Sequence, residues 1–80
     1  SIANQLYFIQ KNPKWLAESA MALFENAENK NDKVMLNRVV EKFEQALSKG
    51  AKDSVYLNYY GYTLIDKNIN IKKGIEIIKD

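Results

Sequence analysis

Apolar residues recur along this chain at the three- and four-residue spacing of amphipathic helices, and no alternating strand with a tight hairpin turn is found. Ile2, Leu6 and Ile9 share one face of a first segment, Ile2–Lys11, flanked by Tyr7 and Phe8. Asn12 and Pro13 then punctuate the chain. Asn can accept from orphan backbone N–H groups at a helix start, and Pro at the next position has no N–H to orphan. The spacing predicts a helix from Pro13 to about Asn29, with Leu16, Ala20, Leu23, Phe24 and Ala27 as its apolar stripe. Asn29-Lys30-Asn31-Asp32 has no apolar residue and reads as a turn, with Asn31 or Asp32 capping the helix after it. That helix has the clearest pattern: Leu36, Val39, Val40, Phe43, Ala46 and Leu47 obey the helical rule. Gly50 after it suits the left-handed residue that ends helices.

Asp53 or Ser54 caps a further helix running to about Lys67, with Leu57, Tyr60, Gly61 and Leu64 on one face. Asn68-Ile69-Asn70 turns the chain into a last helix from about Ile71, whose expected seam is Ile71, Ile75 and Ile78. Short turns between amphipathic helices make antiparallel neighbours. Two hairpins result, one before and one after Gly50.

Composition narrows the chemistry. The 80 residues allow one small domain. There is no cysteine and no histidine, so no disulfide, no thiolate metal site and no imidazole base. Twelve basic and ten acidic side chains leave a net charge of +2, too weak and too scattered for a nucleic-acid footprint. Four tyrosines, Tyr56, Tyr59, Tyr60 and Tyr62, crowd one helix but point to different faces, so they form no single stacking platform. No apolar run reaches the roughly 20 residues that span a membrane. The helical pattern runs to the last residues without a stop signal, and a piece of a longer chain is expected.

The two hairpins resemble tetratricopeptide repeats, helix–turn–helix units of about 34 residues. Leu57, Tyr60, Gly61 and Leu64 fall in the spacing of that family's first helix, and Val39, Phe43 and Ala46 in that of its second. The distance from Val39 to Gly61 fits the family without a gap. The resemblance is good from about Leu36 to Leu64, looser on either side, and absent before Pro13. It implies an all-α fold of antiparallel hairpins stacked as a short right-handed α-solenoid of about five helices. Residues 1–12 would form an N-terminal helix, 13–50 a long atypical hairpin, and 51–80 a second hairpin cut short at its C-terminal end. Roughly three repeats are usually needed to complete a shared core, so either a larger parent or self-association through the C-terminal hairpin is expected.

The family binds proteins or peptides on a concave surface, which places Val55, Asn58, Tyr62 and Ile65 as partner-contacting residues by analogy. Asn58 could hydrogen-bond an extended backbone, and Tyr62 could offer flat area with a polar tip. The plainer reading leaves Asn58 solvated and Tyr62 packed on a neighbouring helix. Trp15 is expected in the core or a helix seam, and Met21 and Met35 as gap-filling core. Glu41 and Glu44 lie on the polar side of their helix and read as solvated charges. With neither histidine nor cysteine no nucleophile–base–orienter set is recognisable, and no catalytic residue, cofactor or metal is expected. The expected function is a non-catalytic protein–protein interaction scaffold; the alternative is a structural or self-associating piece of a larger assembly. Abundant Lys, Asn and Ile point to a bacterial source, with cytoplasm and envelope both open.

Overall fold

The structure, a computed structural model, describes Ile2 and residues 12–79. The helix expected over Ile2–Lys11 lies outside the described residues apart from Ile2. Among the described residues the fold is all-helical, with α1 over Pro13–Glu25, α2 over Lys33–Ser48, α3 over Ser54–Asp66 and α4 over Ile71–Ile77.

Each helix begins where a polar side chain can take the first orphan amides. Asn12 accepts from Lys14 N–H at 2.9 Å, with Pro13 in the first turn. Asp32 accepts from Val34 N–H at 3.1 Å and Asp53 from Val55 N–H at 2.9 Å. Asn70 accepts from Lys73 N–H at 3.1 Å.

Two ends are closed by the same device. After α2, Gly50 sits at φ 101°, its N–H donates to Leu47 O at 3.1 Å and the next N–H, of Ala51, reaches Ala46 O at 3.0 Å. After α3, Asn68 sits at φ 53°, its N–H donates to Ile65 O at 3.1 Å and Ile69 N–H reaches Leu64 O at 2.9 Å. Both are paired reverse bonds around a left-handed residue, which satisfy carbonyls that the helix itself cannot.

α1 stops at Glu25, short of the expected Asn29. An interaction that periodicity does not show closes this end. The Lys30 ammonium folds back and donates to the carbonyls of Phe24 at 3.0 Å, Glu25 at 2.9 Å and Ala27 at 3.1 Å. One cation thus satisfies the end of the helix, favoured by the negative end of its dipole.

α1 packs on α2 and α3 on α4, giving the two expected hairpins. The core that joins them holds Ala17, Ala20, Leu36, Val39, Phe43, Ala46, Tyr60 and Leu64, all buried. Ala17 and Ala20, with no side chain beyond Cβ, allow close approach against α1. Phe43 of α2 stacks on Tyr60 of α3 with ring centroids 4.8 Å apart and planes 17° apart. Tyr59 meets Phe24 of α1 edge-on, with centroids at 6.2 Å and planes at 87°. These contacts let α3 bridge both helices of the first hairpin. No described helix is long and apolar enough to cross a membrane.

The last helix is turned from its expected orientation. Ile71 and Ile75, placed in the seam by spacing, are 47% and 65% exposed. Gly74 is buried, and Ile77 and Ile78 are half-buried. A close crossing of Gly74 on Gly61 fixes the rotation, because only there can the two backbones touch. Trp15, expected in the core or a seam, is instead 52% exposed, while the small Ala17 and Ala20 take the inward positions of its helix.

Candidate interaction face of the third helix

α3 presents three sides. Tyr56, Tyr60, Thr63 and Leu64 are buried toward the first hairpin. Gly61 faces α4, where a methyl group in place of its hydrogen would lie 2.9 Å from Gly74 O and 2.6 Å from Ile78 Cγ1. Val55 and Tyr62, seven residues apart and so on one stripe, are each 60% exposed.

The four residues placed on a partner surface by analogy therefore divide. Val55 and Tyr62 are open to solvent. Asn58 is half-buried and its Oδ1 accepts the backbone N–H of Lys79 at 2.6 Å. Ile65 is half-buried against Gly74, in whose missing side-chain space its Cγ1 sits. Asn58 is thus not merely solvated, and Ile65 belongs partly to its own hairpin. Of the repeat-signature residues, Val39, Phe43, Ala46, Tyr60, Gly61 and Leu64 are buried and Leu57 is half-buried.

Tyrosine hydroxyls tie the two hairpins together. Tyr56 donates to Glu18 Oε1 at 2.8 Å, Tyr59 to Glu25 Oε1 at 2.5 Å and Tyr60 to Glu44 Oε2 at 2.5 Å. The Tyr56 and Tyr60 bonds satisfy partly buried phenols that would otherwise be desolvated without a partner, whereas the Tyr59–Glu25 bond is exposed. Burial, then the carboxylate of Glu18, pushes Tyr56 up to about 12. Burial raises Tyr59 and Tyr60 further, with Glu25 and Glu44 adding to it.

Glu44 corrects the sequence reading, which left it a solvated charge. It is half-buried, and Lys73 Nζ from α4 reaches the same Oε2 at 2.6 Å. Burial works against its charge, but the Lys73 ammonium and the Tyr60 hydroxyl outweigh it and hold its pKa below the usual glutamate value. Three helices meet at this one carboxylate. Spacing along the chain carried no sign of it, since Tyr60 and Glu44 are 16 residues apart and Tyr56 and Glu18 are 38 apart.

No family model, curated protein or solved structure matches this chain.

An open groove of about 770 Å³ lies between α1 and α2, lined in part by Leu23, Ala27 and Met35 and edged by Arg38 and Lys42. Its charges are mixed, with Glu28 and Asp32 on the same rim. Among the described residues no group of three or more Asp or Glu is placed to hold a metal ion.

Proposed function

We propose that this chain is a non-catalytic interaction scaffold whose helical hairpins stack in the manner of tetratricopeptide repeats, as a short right-handed solenoid, and which offers the open side of α3 to a protein or peptide partner. The observation that supports this is the exposure of Val55 and Tyr62 on one stripe of a helix whose other sides are anchored. An exposed aromatic on a rigid support contributes binding area at little cost in conformational entropy. The reading includes no cofactor, no nucleic acid and no membrane insertion.

Capture from a lysate of the source organism, with the chain and a Val55→Ser/Tyr62→Ala variant as baits, tests it. A partner held by the first and lost by the second, with affinity for the purified partner then falling at least about ten-fold (about 1.4 kcal/mol), is the expected result. A partner held equally by both would remove this face from consideration.

The second reading, a self-associating structural piece, is favoured by Ile71 and Ile75, which stand exposed on α4. Sedimentation equilibrium distinguishes the two. Association that Ile75→Glu abolishes, while Tyr62→Ala leaves it unchanged, would favour the second reading.

A further inference from the structure

The chain leaves α4 in an informative way. Ile78 N–H still donates to Gly74 O at 3.3 Å, so helical bonding continues to that amide. Ile78 itself is extended, at φ −67° and ψ 133°. The following amide, of Lys79, turns away from the carbonyls of α4 and donates to the Asn58 side chain on α3 at 2.6 Å. Beside that bond the Ile78 side chain lies over Gly61, where a β-carbon would come within 2.6 Å of Ile78 Cγ1. An extended segment is therefore held by two anchors of different chemistry: one main-chain N–H on a side-chain carbonyl, and one β-branched side chain in a notch left by a glycine.

We propose that Asn58 and Gly61 form a binding site for an extended polypeptide segment, and that the chain's own Ile78–Lys79 occupies it in cis. Two features make the contact exchangeable. The Asn58–Lys79 bond is exposed, so water can replace it. The anchors read only backbone and an aliphatic branch, so any extended segment with Ile or Val before a free N–H can present the same pair. Val55 and Tyr62 flank Asn58 on α3, three residues before and four after it. A segment arriving from a partner would cover them as it displaces the cis segment. That consequence rests on the reading of this face as a partner surface; the cis occupancy does not.

Two measurements on the full chain test the inference. The first is amide hydrogen exchange at Lys79. Exchange in the unmodified chain slower by about ten-fold than in Asn58→Ala is expected, since a hydrogen-bonded amide must open before it exchanges. Equal exchange in both would overturn the cis contact. The second uses a fluorescein-labelled, amidated Ile-Glu-Ile-Ile-Lys-Asp peptide and anisotropy titration. Ile78→Ala/Lys79→Pro removes both cis anchors, the branched side chain over Gly61 and the N–H on Asn58. It should bind the peptide about ten-fold more tightly than the unmodified chain, as an unblocked site should, and adding Asn58→Ala should lose that gain. Equal binding by the unmodified chain and Ile78→Ala/Lys79→Pro, or no loss on adding Asn58→Ala, would overturn the site. Loss of partner capture in Val55→Ser/Tyr62→Ala alongside a fast-exchanging Lys79 would sink this inference and leave the proposed function standing.

Discussion

Gly61 and Gly74 cross with no room for a β-carbon on either side. A methyl at Gly61 would lie 2.9 Å from Gly74 O, and one at Gly74 would lie 2.6 Å from Gly61 O. The obstacle in both cases includes backbone, which cannot swing aside as a side chain can. This contact sets the rotation of α4 and hence which isoleucines face solvent.

Gly61→Ala and Gly74→Ala should therefore destabilise the fold, although alanine is the better helix former. Overpacking costs about 1–3 kcal/mol, and helix propensity returns about 1 kcal/mol. Gly74→Ala should be the worse, since its β-carbon would meet backbone oxygen at 2.6 Å against 2.9 Å for Gly61→Ala, and each also meets an isoleucine Cγ1 at 2.6 Å. Thermal melts followed by circular dichroism would show a lower midpoint for both. An unchanged or higher midpoint for Gly74→Ala would contradict the crossing.

Tyr60, Glu44 and Lys73 should behave as one unit. Tyr60→Phe keeps the stack on Phe43 and removes only the donor to a charged acceptor, a loss of about 1.5–3 kcal/mol. Lys73→Met should cost less, because that ion pair is only partly buried. A double-mutant cycle in denaturant should give a coupling between the two, and strict additivity would show that Glu44 does not join them.

Stability should fall at both ends of the pH scale for different reasons. Glu44 has a lowered folded pKa, so its contribution is present above the ordinary glutamate value of 4.5 and is lost as pH falls through the folded one. The tyrosines have raised folded values. Their contribution is complete below the ordinary value of 10.0 and is lost as pH rises above it, through about 12 for Tyr56. Tyr60→Phe should flatten the alkaline limb of a stability–pH curve, and Glu44→Gln the acid limb.

The two left-handed positions should respond in opposite directions. Gly50→Ala should cost about 1–2 kcal/mol, the steric penalty of a β-carbon in that region. Space is not the cause, since nothing lies within 4 Å of the added carbon. Asn68→Gly should be neutral to slightly stabilising, because asparagine at φ 53° already bears part of that strain. Urea midpoints for the two variants would settle the comparison.

Local signals were legible because their physics is local. Asn12, Asp53 and Gly50 announce helix ends through bonds to amides or carbonyls only a few residues away. The stripe Leu36, Val39, Phe43 and Ala46 marks a buried face because periodicity and burial coincide on a helix packed along one side. The all-helical fold of the described residues, their pairing into hairpins and most of the core could thus be read from residue order alone. The remaining features depend on residues far apart in the chain, and only folding brings those together. The rotation of α4 arises where two glycines meet, which exposed Ile75 although its spacing placed it inside. The inward turn of Glu44 needed Tyr60 and Lys73 to arrive from two other helices. Asn58 looked free on its own helix, and its occupancy by Lys79 arises because the extended backbone of Ile78 turns the next amide onto α3.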